Sequence, residues 1–181
     1  MTNSEAANPK ALYVTYCSAS KRLVEEGSPE ELYDSLRITN FIAWCKAKHF
    51  NWAILSAKYG LFFPGEVHKN YNVTFKTVAY KCRIVENSEL IPDAESKERL
   101  SQLIHQIRRC LLQGKTERIF FFFEQPLQRR KCYLSILHAA ADSCVIEHST
   151  CHELRNHINN MFADGTGKIR IFETLSATAA T

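Results

Sequence analysis

The sequence predicts an α/β fold, a single three-layer domain whose mostly parallel central sheet is flanked by helices. Three observations point there. Short runs rich in β-branched and aromatic residues alternate with longer stretches of helical periodicity, and most runs end in a polar or glycine-containing loop. A chain of 181 residues also suits one compact core. The expected domain is 1–181, with 1–10 and 173–181 as flexible ends.

The elements follow in order. Ala11 to Tyr16 (ALYVTY) reads as a strand that stops at the polar CSASK turn. SPEELYDSLRITNFIAWCKAKH opens with Ser28 and Pro29 as a helix start and carries apolar Leu32, Leu36, Phe41, Ile42 and Trp44. It reads as one helix or two abutting ones. WAILSA is apolar on both faces, as buried parallel strands are, and ends near Ser56. From Pro64 to Pro92 the periodicity weakens, and a surface excursion is expected. Ala94 to Gln113 places Leu100, Leu103, Ile104, Ile107, Leu111 and Leu112 at helical spacing, closed by Gly114. RIFFFF is a third strand, RRKCYLSILHAAA a helix and SCVIEHS a fourth strand. His152 to Phe162 reads as a last helix, and FETLSATAAT as a loosely held tail.

Composition excludes some classes. No apolar run approaches the roughly 20 residues that cross a bilayer, so no membrane partner is expected. MTNSEAANPK lacks the basic head and apolar stretch of a secretory signal, and a soluble, cytoplasmic protein is expected. Seven cysteines, an odd number with no Cys-x-x-Cys, read as reduced thiols. His148, Cys151 and His152 crowd too closely to close one tetrahedral site, so neither metal nor cofactor is expected. The net charge of +4 permits nucleic-acid binding, and the run Arg129, Arg130, Lys131 is the candidate contact; a solvated basic helix face is its ordinary alternative.

Parallel sheets hold ligands at the carboxyl ends of their strands. Two loops start at such ends, Cys17 to Lys21 and Ser56 to Tyr71. Cys17 follows a strand, with backbone N–H groups and Lys21 near enough to favour its thiolate, a setting for a nucleophile; a small apolar residue at a strand end is the plainer reading. Ser18, Ser20 and Lys21 can instead cradle an anion. Lys58 and Tyr59 precede Gly60, which permits a tight turn and close approach to a ligand. Tyr71, after the Pro64-Gly65 turn, can stack on or hydrogen-bond a base.

Read together, TYCSASK, EELYDS, WAILSAKYGLFFP and Tyr71 resemble a family of uncharacterised domains with a Cys-Ser-x-x-Lys loop, a Leu-Tyr segment and an Ile-Leu-Ser-Ala-Lys-Tyr-Gly-Leu motif followed by Pro and Tyr. The resemblance covers roughly the first 75 residues. That family is distantly similar to the peroxide-stress YaaA family, which binds DNA, and to the catalytic region of archaeosine synthase, which modifies a deazaguanine base in transfer RNA. The synthase carries Pro-Cys-Ser-x-x-Lys-Pro-Tyr, whereas here Thr15-Tyr16 precede Cys17 and Arg22-Leu23 follow Lys21. The resemblance implies that Cys17, Ser18, Lys21, Glu31, Tyr33, Ser56, Lys58, Tyr59, Gly60 and Tyr71 line one pocket.

Two functions are expected. One is an enzyme acting on a nucleobase or nucleoside, in a nucleic acid such as transfer RNA. In it Cys17 is nucleophile, Lys21 holds the thiolate charge, and Glu31 is general acid or base if the pocket raises its pKa. Tyr59 and Tyr71 hold the base. The other is a non-catalytic DNA- or RNA-binding stress-response protein that grips phosphates through Arg129, Arg130 and Lys131.

Overall fold

The computed structural model describes residues 10–123, 131–141, 145–149 and 171–172. β1 (Ala11–Tyr16) pairs in parallel with β3 (Trp52–Ser56) on one side and β9 (Arg118–Phe122) on the other. β10 (Val145–Ser149) runs parallel to β9, and β11 (Ile171–Phe172) parallel to β10. β4 (Gly60–Phe62) turns back antiparallel to β3, so the sheet is mixed. The order among the described residues is β11-β10-β9-β1-β3-β4. All five residues of β3 are buried, which is why its sequence is apolar without alternation.

The stretch after Ser28 forms two helices, α1 (Pro29–Leu32) and α2 (Leu36–Ala47). α2 buries Ile38, Phe41, Ile42 and Cys45, and large side chains of this kind contribute about 1.5–3 kcal/mol each. Beside it Tyr13 is stacked between Phe50 at 4.1 Å and Phe120 at 4.6 Å, which ties β1, β9 and the end of α2 into one aromatic layer. α3 (Asp93–Gln113) buries Leu103, Ile107 and Leu111 and packs on β4 and on α4 (Lys131–Ala140). Gly114 ends α3 with φ −75°, and the left-handed residue is Lys115, φ 50°.

Residues 64–92 are more than the expected surface excursion. β6 (Val73–Val78), β7 (Lys81–Glu86) and β8 (Glu89–Leu90) form an antiparallel meander that buries Val73, Phe75 and Ile84. β2 (Glu26–Gly27) pairs with β5 (His68–Lys69) in a short ribbon. A second correction concerns the cysteines. Cys82 on β7 and Cys132 on α4 form a disulfide across 50 residues, whereas Cys17, Cys45 and Cys110 are free. The expected final helix, Cys151 and His152, Arg129 and Arg130, and the ends 1–9 and 173–181 lie outside the described residues. No described helix is long and apolar enough to cross a membrane.

Candidate functional site

Because β1 and β3 are parallel neighbours, the loops leaving their carboxyl ends start side by side. Cys17 N–H donates to the Leu55 carbonyl at 3.0 Å, which fixes the thiol next to the end of β3. The loop then folds back, with an isolated bridge between Lys21 and Tyr33. Lys21 Nζ donates to the Ser18 carbonyl at 3.0 Å and lies 4.1 Å from the Tyr71 ring centre and 5.7 Å from that of Tyr33. Ser18 Oγ is spent inside the loop, accepting from Ser20 N–H at 3.1 Å.

A buried hydroxyl network joins the two loops. Tyr33 and Tyr71 share a hydrogen bond through their hydroxyls, and Ser56 Oγ donates to Tyr71 Oη at 2.8 Å. Ser56 Oγ also accepts from the N–H groups of Lys58 and Tyr59, so one fully buried hydroxyl closes the 56–60 turn and anchors Tyr71. Cys17 Sγ lies 3.2 Å from Tyr133 Oη on α4, which in turn reaches Thr74 Oγ1 at 3.2 Å. Burial, and secondarily the nearby Cys17 charge, push the Tyr33, Tyr71 and Tyr133 hydroxyls well above the ordinary tyrosine range. Burial lowers the Lys21 ammonium, and attraction to Cys17 opposes that shift.

Over this network lies an open cleft of about 700 Å³, lined by Lys21, Lys58, Asn70, Tyr71, Asn72 and Asn87 among others. Asn70 is a positioning residue: its amide N–H groups donate to the Arg22 and Val24 carbonyls, and its carbonyl accepts from Tyr71 N–H at 2.8 Å. No family model, curated protein or solved structure matches the chain. What the site can do therefore rests on the groups it holds.

The expected residues separate into groups. Cys17, Lys21, Tyr33, Ser56 and Tyr71 converge, and Lys58 stands on the cleft wall, exposed. Glu31 does not join them. Ser28 N–H and Ser28 Oγ both donate to Glu31 Oε2 at 2.8 Å, so this exposed carboxylate caps α1. Those bonds hold it below the usual carboxylate range, the opposite of the rise that acid–base work needs. Tyr59 stacks on His68 at 4.2 Å and donates to the Lys69 carbonyl, which occupies one ring face and the hydroxyl. Tyr71 has Lys21 over its ring and is 7% exposed, so it offers no free face for a base in this arrangement, whereas Tyr59 keeps the face opposite His68. Gly60, φ 72°, serves packing: a Cβ there would sit 3.2 Å from Ile107 Cγ1. Lys131 is exposed at the first turn of α4, away from the cleft lining.

Sequence reading missed Tyr133, which it took only as part of an apolar helix, and Asn70, Asn72 and Asn87, which carry no motif. The Ser28-x-x-Glu31 spacing was a legible capping box.

Proposed function

We propose that this chain is an enzyme acting on a nucleobase or nucleoside, within a nucleic acid such as transfer RNA, with Cys17 and Lys21 as its reactive pair. The observation that supports this best is Lys21, a half-buried lysine on the loop that begins at Cys17, which lines the cleft and lies 4.1 Å from the Tyr71 ring centre. The amides of Asn72 and Asn87 in the cleft carry both donors and acceptors, as the edge of a base requires, and Lys58 offers a cation for a phosphate. In the reaction the Cys17 thiolate adds to an electrophilic ring carbon, the displaced electron pair moves to a ring nitrogen, and Lys21 protonates that nitrogen. Reversal of these steps restores the Cys17 thiolate, the Lys21 ammonium and the original base, so the covalent adduct is the species that reports the chemistry. Cys17 is 5% exposed, so substrate entry includes opening of the loop between Cys17 and Lys21.

The resemblance to archaeosine synthase supports the base-modifying class. The resemblance to the peroxide-stress family supports a second reading, a non-catalytic DNA- or RNA-binding stress-response protein, and the exposed Lys131 favours it. With either reading we infer a three-layer domain with a mostly parallel sheet and a cytoplasmic location.

The test is incubation of the chain with a nucleoside pool and with transfer RNA, followed by mass spectrometry of both nucleosides and the Cys17 peptide. The expected result is a Cys17 adduct with the mass of one nucleoside or nucleotide that disappears in Cys17→Ala and Lys21→Ala. Conversion that persists unchanged in Cys17→Ala would overturn the proposal.

A further inference from the structure

We infer that the tip of the β6–β7 hairpin is a contact surface for single-stranded nucleic acid, with Tyr80 stacking on an unpaired base and lysines around it holding the flanking phosphates. This rests on the reading that the substrate lies in a nucleic acid. The two tip residues are Ala79, φ 45°, and Tyr80, φ 63°. Positive φ at both positions is the backbone of a tight hairpin turn that Asn-Gly adopts without strain, whereas a bulky aromatic is strained there. Tyr80 is also fully exposed, at 102% of its reference area, so its ring contributes nothing to the core. An exposed aromatic ring with both faces open is a sequence-tolerant stacking platform for a base.

The charge around it is basic. Lys76 pairs with Arg83 and Val78 with Lys81, and strand alternation puts all four on one face of the hairpin. The Cys82–Cys132 disulfide, with Cα atoms 5.3 Å apart, brings the neighbouring Lys131 of α4 to the same end. Arg83 pairs with Asp93, as does Lys97, and Asp93 also feels Lys81. Asp93 thus faces three cations, Lys81, Arg83 and Lys97, and Lys76 and Lys131 add positive charge at this end of the hairpin, which complements a phosphate backbone. The cleft residues Asn72 and Asn87 lie at the other end of the hairpin, whose six-residue strands span about 20 Å. A strand held at Tyr80 would reach the cleft with its target nucleotide a few residues away.

The experiment is fluorescence anisotropy of a short, mixed-sequence single-stranded RNA with the full chain at several salt concentrations. Tyr80→Ala should weaken binding about tenfold, within the range of base–aromatic stacking, while Tyr80→Phe should bind as the parent does. Lys76→Ala and Lys81→Ala should each flatten the dependence of log affinity on log salt by about 0.7. Equal affinity for the parent and Tyr80→Ala, or tighter binding of duplex DNA that ignores Tyr80, would overturn the inference. The Cys17 adduct with a free nucleoside does not involve Tyr80. An adduct with no effect of Tyr80→Ala on RNA binding therefore removes the hairpin surface alone. Tyr80-dependent RNA binding without any Cys17 chemistry removes the enzyme reading alone.

Discussion

Removing the Tyr33 and Tyr71 hydroxyls separately and together probes the geometry of the site, because their partners are unequal. Tyr33→Phe leaves Tyr71 Oη still accepting from Ser56, so the loss is one buried hydrogen bond, about 1 kcal/mol. Tyr71→Phe removes the hydroxyl bonded to Tyr33, which is 1% exposed and keeps only the Ser56 side chain beside it, and also removes the acceptor of Ser56 Oγ. Leaving buried hydroxyls unsatisfied raises the cost to about 2–3 kcal/mol. The double variant should cost less than the sum, because Tyr33→Phe removes the hydroxyl that Tyr71→Phe would orphan, giving a coupling of about 1 kcal/mol. Urea denaturation of the four proteins measures all three quantities. Equal costs for the two single variants, or strict additivity, would refute the shared hydroxyl network.

Gly60→Ala should destabilise by about 2 kcal/mol, from the left-handed backbone and from crowding Ile107, and should leave RNA binding intact; a neutral change in thermal denaturation would contradict the packing role. Cys132→Ser opens a 50-residue loop and should cost about 4 kcal/mol against the oxidised parent, with no difference once both are reduced. A difference that persists in reductant would mean that the side chain, not the bond, matters. The raised tyrosine hydroxyls favour the protonated form in the fold. Their contribution is complete below about pH 10 and is lost as pH rises beyond it, so stability that stays flat to about pH 12 would argue against their burial.

What could be read from the residues followed the strength of the pattern. LYV, WAIL and IFFF are uninterrupted apolar runs, and each lies in a largely buried strand of the sheet. The meander was hidden because its turns use Ala79-Tyr80 and Asn87-Ser88 where glycine is the usual marker, although Val73 and Phe75 alternate with exposed Thr74 and Lys76 as a half-buried strand does. β4 is three residues long, too short to stand out from the loop it interrupts. Convergence of the Cys17 and Ser56 loops followed from parallel pairing of their strands. The thiol's neighbour Tyr133, 116 residues away, and the Cys82–Cys132 bridge depend on how α4 packs, which no local spacing records.

The pairing of Cys17 with Lys21 is tested most directly by titrating Lys21 itself. Pulsed acylation of the native chain across the alkaline range, read peptide by peptide, gives the apparent pKa of Lys21 beside that of exposed lysines such as Lys97. Lys21 should titrate below the ordinary lysine range because it is half-buried, and lower still in Cys17→Ser, where the attraction of the thiolate is gone. A Lys21 that titrates with the surface lysines, and does not respond to Cys17→Ser, would contradict the reactive pair.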